Sequence, residues 1–314
     1  MHNNFLLNFF YVEAKTTFQD TLKSQDTEEW IDLIFYRPIG YRWALFFKKL
    51  NVTPNIVTIL SIILGVTAGV MFYFSDLWLN IIGMILLVWA NTYDSTDGQL
   101  ARMTGKYSRI GRLLDGAAGD IWFITIYSAI CLRLMPEWSF WIWILAAVAG
   151  YFHTKQAAMA DYLRNFHLIF VKGKKGSELD DSEKLREQEK LLTWKNHFIE
   201  KLFMKFYLPY TKDQEKWTPR LQRFRHRLEK EFIDGEPDED FRKDFREASK
   251  PMMKYTNILS FNIRVIVLFA CILAGVSWVY FIFELTILNI LLIYMLRKYG
   301  NICEMFDIRL RRHD

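Results

Sequence analysis

The sequence has only three cysteines in 314 residues, too few for a disulfide scaffold. Cys131 and Cys271 lie inside apolar runs, where a free thiol acts as a small hydrophobe. There is no Gly-rich phosphate loop, no HExxH, no CxxC, no internal repeat and no low-complexity tract. No secretory leader is expected: the short apolar stretch Phe5–Val12 lacks a basic start and runs into Glu13 and Lys15 without a small-residue cleavage site. Net charge is only +5, so nothing points to a nucleic-acid partner. Aromatic residues, at 17 %, exclude intrinsic disorder.

What is present is unevenly spread. Residues 171–254 hold 21 Lys or Arg and 18 Asp or Glu, 39 of the chain's 75 charged residues. The remainder is strongly apolar, with runs near the roughly 20 residues that span a bilayer. Six spans are expected, near Ile56–Phe74, Leu77–Ala90 and beyond, Ile121–Leu134, Trp138–Ala157, Leu259–Val279 and Phe281–Met295. The second and third are short as apolar runs. The second must therefore continue past Asn91 into the acidic residues, and the third must begin before Ile121. Basic residues near Lys48, Arg102–Arg112, Lys155–Lys175, Arg297 and Arg309–Arg312, set against nearly uncharged opposite connections, put both termini and the 171–254 insertion in the cytoplasm. Arg133 alone breaks that pattern.

The expected fold is an all-α integral membrane protein: residues 1–50 as N-terminal cytoplasmic and interfacial helices, 51–170 as transmembrane helices one to four, 171–254 as a charged cytoplasmic helical insertion, 255–298 as helices five and six, and 299–314 as a basic tail. Arg37–Lys49 mixes Arg37, Arg42, Lys48 and Lys49 with Trp43, Leu45, Phe46 and Phe47, the composition of a helix on a membrane surface; packing on protein is the alternative. In the insertion, Leu191, Leu192, Trp194, Phe198, Leu202, Phe203 and Phe206 recur at helical spacing among Lys and Glu, which suggests a helical hairpin. Lys172, Lys174 and Lys175 with that aromatic face suit anionic lipid.

The chemistry concentrates at 94–120. Asp94, Asp97, Asp115 and Asp120 lie within 27 residues, at the cytoplasmic ends of two adjacent spans. Carboxylates at membrane depth are expensive and usually paired or functional. Asp94 and Asp97 at i, i+3 share one helical face. Converging carboxylates repel one another, and a divalent cation removes that repulsion. All-oxygen ligation without a Cys or His pair suits Mg2+ or Mn2+ rather than Zn2+, and two ions about 4 Å apart are the usual clamp for phosphoryl chemistry. The small residues Gly98, Ala101, Gly111, Gly116, Ala117 and Ala118 leave room for close approach, and Arg102 and Arg112 offer charge to a phosphate.

This segment resembles the CDP-alcohol phosphotransferases, integral-membrane enzymes of phospholipid head-group synthesis with the signature Asp-x2-Asp-Gly-x2-Ala-Arg-x8-Gly-x3-Asp-x3-Asp. Asp94, Asp97, Gly98, Ala101, Arg102, Gly111 and Asp115 match in identity and spacing, and Pro54, Asn55 and Thr58 match the start of the family's first span. The resemblance does not cover 171–254. It implies a CDP-linked donor bound by Asp94, Asp97, Gly98, Ala101, Arg102 and Gly111. It further implies Mg2+ or Mn2+ held by Asp94, Asp97, Asp115 and Asp120, attack of an acceptor hydroxyl on the β-phosphorus, and release of CMP. One substrate is a lipid: either CDP-diacylglycerol meets a soluble alcohol, or CDP-choline or CDP-ethanolamine meets a lipid alcohol. The family precedent suggests a homodimer, in an inner membrane for a bacterium or an ER-type membrane for a eukaryote.

One departure matters. The family's fourth Asp, held to be a metal ligand and the general base, falls at Gly119, and the carboxylate is Asp120. In a straight helix i+5 lies about 140° from i, against about 40° for i+4. Three outcomes stay open: a π-bulge at Gly116–Gly119 turns Asp120 back, another group serves as base, or the chain is a degenerate scaffold. His153, Lys155 and Arg164 are candidate acceptor-binding residues; packing for His153 and positive-inside topology for the two cations are the alternatives. A cation channel would need acidic residues in mid-span, and here they are expected only at cytoplasmic ends.

Overall fold

The computed structural model describes residues 17, 18, 21, 24–173, 177, 179–232 and 237–311, apart from the side chains of Arg109, Ile110 and Leu113. The expectations placed on Phe5–Val12, Lys174, Lys175 and Arg312 lie outside these residues. Helices form every regular element among them. A π-helical segment, Asp32–Tyr36, leads into α1 (Arg37–Lys49). Then come α2 (Pro54–Met71), α3 (Leu77–Thr104), α4 (Arg109–Trp138) and α5 (Trp141–Lys172).

The two acidic ends belong to regular helix, as the short apolar runs require. α3 starts at Asp76, whose carboxylate accepts from the Leu79 N–H at 2.9 Å, and runs on through Asp94 and Asp97. Gly105 ends it in the left-handed region at φ +65°, which glycine adopts without a Cβ clash. Ser108 caps α4 by accepting from the Gly111 N–H at 2.8 Å. The Gly105–Ser108 turn thus folds the ends of α3 and α4 back against each other. α2 packs on both, and α1 lies along α3. Gly40, Ala44 and Phe47 of α1 face α3, while Leu45 and Phe46 are exposed, so α1 is half packed and half open.

The insertion comprises four helices where the sequence suggests a hairpin: α6 (Ser182–Leu191), α7 (Phe198–Trp217), α8 (Pro219–Glu231) and α9 (Glu239–Ser249). The chain then passes through α10 (Met253–Ile258) and α11 (Phe261–Leu273), breaks at Gly275, and finishes with α12 (Trp278–Phe283), a π-helical segment Glu284–Leu288 and α13 (Asn289–Arg311). α8 and α9 clamp the extended ends of α5 and α13. Phe166, Phe170, Phe224, Phe245 and Phe306 form their shared core, with Phe170 stacked on Phe245 at 3.9 Å. The expected amphipathic pattern falls at the end of α6, in the 192–197 connection and on α7, where Leu191, Trp194, Phe198, Leu202 and Phe206 remain exposed; the packed aromatics are instead those of α8 and α9.

Among the described residues, five stretches are long and apolar enough to cross a membrane: Pro54–Met71, Leu77–Thr104, Leu114–Trp138, Glu239–Leu273 and Trp278–Arg311. α5 has 32 residues, about 48 Å of helix. It falls short in composition because His153, Thr154, Lys155 and Gln156 follow its apolar start.

Asp26 ties the N-terminal segment to the insertion. It is buried, and it accepts from Arg246 Nε (2.5 Å) and Nη2 (3.2 Å), pairs with Lys250 at 3.0 Å and lies 3.4 Å from His167 Nε2. The Arg246 hydrogen bonds hold its carboxyl below the usual range, against the opposing effect of burial. A depressed pKa gives stability that is present above the unfolded value and lost as pH falls through the folded one. Asp26→Asn is therefore expected to lower stability by about 1–2 kcal/mol at neutral pH, reduced from the usual charged-bond worth because Arg246 and Lys250 are half exposed. The gap from wild type should hold between pH 7 and 5, start to narrow near pH 4 and close only as pH falls toward the depressed folded value. Thermal unfolding in detergent at pH 7, 5 and 3 measures it; a gap that widens in acid would contradict the assignment.

Candidate active site

Three carboxylates meet where α3 and α4 fold together. One oxygen from each of Asp94, Asp97 and Asp115 lies within 4.8 Å of the others. Asp97 is 3 % exposed, Asp94 is half-buried and Asp115 is open. The i, i+3 spacing puts Asp94 and Asp97 on one face, and the turn brings Asp115 across from them. The group lines a cavity of about 520 Å3, whose walls include Gly98, Ala101, Arg102, Gly111 and Arg112. Every residue of the matched signature is therefore at one cavity.

The surrounding residues explain its shape. Asn55 accepts from the Ser108 hydroxyl at 3.1 Å and so links the start of α2 to the start of α4. A Cβ on Gly111 would come within 2.5 Å of Asn55 Oδ1, so this crossing requires glycine. Arg102 Nε donates to the Thr21 carbonyl at 2.7 Å, and Arg37 bonds Glu28 (3.0 Å) and Ser95 (3.3 Å). Arg37, Asp32 and Asn91 also line the cavity. Sequence reasoning took Arg37 only as part of a surface helix; its place here follows from α1 packing on α3.

The carboxylates fit a divalent cation on two counts. They are all hard oxygen donors, and Asp97 Oδ2 is buried without a hydrogen-bond partner. An orphaned buried carboxylate oxygen beside another acid is destabilising unless a cation meets it.

Asp120 does not join the cluster. α4 runs as regular α-helix from Arg109 to Trp138, and the π-helical segments lie elsewhere, at Asp32–Tyr36 and Glu284–Leu288. Without a bulge, the one-residue displacement turns Asp120 away from Asp115. Its charge instead acts on His153 and Tyr210. Of the three outcomes left open, the π-bulge at Gly116–Gly119 is not formed in α4.

The three acceptor candidates separate. Lys155 is ion-paired with Asp213 of α7. His153 is buried, its Nδ1 3.0 Å from Glu284 Oε1 and 3.0 Å from Arg264 Nη1. Arg164 lines a smaller cavity that shares Asp32, Arg37 and Asn91 with the first.

The His153 neighbourhood corrects the expectation that acidic residues sit only at cytoplasmic ends. Glu284 lies within the last long apolar stretch, fully buried. It accepts from Arg264 Nη1 at 2.5 Å and from the hydroxyls of Tyr280 (2.6 Å) and Tyr127. Arg264 Nη2 donates to Gln156 Oε1 at 2.7 Å. An acid and a base inside separate apolar runs were the available signal. The network pairs its own members, which argues against an ion pathway.

Residues 51–163 match the family described as CDP-alcohol phosphatidyltransferase. The match covers 113 of the 314 residues. Two curated relatives share this region. A bifunctional IPC transferase and DIPP synthase of Aquifex aeolicus is 33 % identical over 98 residues, 31 % of this chain and 22 % of that protein. An archaetidylinositol phosphate synthase of Pyrococcus horikoshii is 32 % identical over 90 residues, 29 % of this chain and 46 % of that one. The chain thus spans less than half the length of the curated relatives it matches. The five long apolar helices among the described residues make the chain an integral membrane protein, and its residues 51–163 resemble a transferase family. The insertion and the last two long helices lie outside the matched region.

Proposed function

We propose that the protein is a membrane CDP-alcohol phosphotransferase of phospholipid synthesis, moving a substituted phosphate from a CDP-linked donor, CDP-diacylglycerol being favoured, to an alcohol with release of CMP. The convergence of Asp94, Asp97 and Asp115 at the mouth of a cavity that also presents Arg102 and Arg112 carries this reading. In it, α5 is a sixth span, both termini and the insertion are cytoplasmic, α1 rests at the membrane surface, and the copies pair as a homodimer. Asp94, Asp97 and Asp115 would hold Mg2+ or Mn2+, two ions in the full site, which would neutralise charge on the donor's diphosphate. Gly98, Ala101 and Gly111 leave space for the nucleotide, and Arg102 and Arg112 meet phosphate oxygens. The acceptor hydroxyl attacks the β-phosphorus, the P–O bond to CMP breaks, and the hydroxyl proton passes to a carboxylate. Asp115, the most open of the three, is the nearest candidate base.

Purified protein in proteoliposomes with CDP-diacylglycerol and a panel of alcohols should release CMP with Mg2+ or Mn2+ and stop with EDTA. Failure with every CDP donor, CDP-choline and CDP-ethanolamine included, would remove the enzyme reading. It would favour a degenerate scaffold, the reading that the displaced Asp120 supports. Asp120→Asn should keep at least about a tenth of the activity, since general bases are worth about 10²–10⁴-fold and Asp120 is turned from the cluster. A loss beyond 100-fold would return the base role to Asp120.

A further inference from the structure

The smaller cavity beside the acidic cluster has a volume of about 170 Å3. Because it shares Asp32, Arg37 and Asn91 with the main cavity, the two adjoin. Its distinctive polar walls come from outside the matched domain: Glu29 and Asp32 from ahead of α1, Asn262 from α11, and Arg164 from α5. Asn262 Nδ2 donates to Glu29 Oε2 at 2.8 Å and to Asp32 Oδ1 at 3.0 Å, using both hydrogens to hold two carboxylates side by side. The amide cannot be reversed, since its oxygen would then face both acids.

Two polar atoms here are left over. Asn262 is 5 % exposed, lines the cavity, and its buried Oδ1 meets no donor. Arg164 Nη2 donates to Asn257 Oδ1 (3.2 Å) and Ser260 Oγ (2.7 Å), yet its buried Nε–H meets no acceptor. Buried polar groups in folded proteins are almost always satisfied, so these mark the place of a ligand. Burial also pushes Glu29 up to about 7 and raises Asp32, an effect that the hydrogen bonds from Asn262 only partly offset.

The leftover groups specify the ligand's chemistry. The carboxylates and Asn262 Oδ1 call for donors, and Arg164 Nε–H calls for an acceptor. An ammonium group would bring donors only and would sit near a guanidinium. A phosphate would bring acceptors to two carboxylates. A hydroxyl both donates and accepts. The volume holds roughly five or six water-sized groups, the scale of a short polyol and too small for a nucleobase with its sugar or for an acyl chain.

We infer that Glu29, Asp32, Asn262 and Arg164 form a hydroxyl-recognising subsite that takes the polyhydroxy end of the acceptor alcohol and sets it beside the carboxylate cluster. The subsite stands on its own geometry; only its role as acceptor site rests on the phosphotransferase reading.

The test uses the full chain in nanodiscs, with radiolabelled myo-inositol and glycerol as probes and choline and inorganic phosphate as controls. At least one polyol should bind saturably, and Glu29→Gln, Asp32→Asn and Asn262→Leu should each weaken that binding at least tenfold. With a polyol phosphate as acceptor in the CMP-release assay, Glu29→Gln should raise the acceptor KM at least tenfold and leave the donor KM within twofold. Absence of saturable polyol binding, equal binding in all three variants, or binding of choline or phosphate alone overturns the subsite. Polyol binding that the variants lose, without CMP release by wild type, keeps the subsite and removes the phosphotransferase reading. CMP release with an unchanged acceptor KM in Glu29→Gln does the reverse.

Discussion

Asp97→Asn and Asp115→Asn should each reduce CMP release at least about 10³-fold, with the fold intact by thermal unfolding. Charge stabilisation of a transferring phosphoryl group by metal is worth several kcal/mol, and each 1.36 kcal/mol is tenfold in rate. Asn keeps the shape of Asp and removes the charge. It leaves a neutral amide at the buried position, where Asp97 Oδ2 has no hydrogen-bond partner in the protein. Stability should not fall, because relieving repulsion between Asp97 and its acidic neighbours offsets the lost hydrogen bonds. Retention of a tenth or more of the turnover in either variant would remove the cluster from the chemistry.

The second large effect is on stability. Arg264→Leu should cost about 3–5 kcal/mol, because Glu284 is then left buried with its cationic partner gone. Adding Glu284→Gln should restore a substantial part, since the amide carries no charge, its oxygen still accepts from one of Tyr127 and Tyr280, and its NH2 can donate to the other hydroxyl. A double-mutant cycle by thermal unfolding in detergent should give a coupling of at least about 1 kcal/mol. Additive losses would mean that the ion pair does not hold α11 to the last long helix. Because the network also contains His153 of α5 and Tyr127 of α4, its loss should loosen the helix that carries Asp115 and lower activity as well.

The helices and the cluster were legible in the sequence because both depend on local spacing. Fourteen apolar residues are too few for a span, so α3 had to continue through Asp94 and Asp97; i, i+3 then set their common face, and the short turn brought in Asp115. The displaced Asp120 was also legible, as an angle on a helix, and regular α4 leaves it displaced. Less legible were contacts between distant segments. Glu29 and Asp32 meet Asn262 more than 200 residues later, and no periodicity encodes that pairing. Arg264 and Glu284 each read as a single charge in an apolar run; only the crossing of their helices shows them to be a pair. The insertion's aromatic pattern marked α7 but neither the number of helices nor the packed face, because Phe170 and Phe306, which complete the core, belong to flanking helices that run on beyond the expected spans.

Asp94, Asp97 and Asp115 are expected to hold a divalent ion together. Titration of Mn2+ into the purified, nucleotide-free chain, followed by electron paramagnetic resonance, tests it most directly. Wild type should remove Mn2+ from solution saturably, and Asp97→Asn and Asp115→Asn should weaken that uptake at least tenfold. Equal uptake by wild type and both variants would contradict the claim.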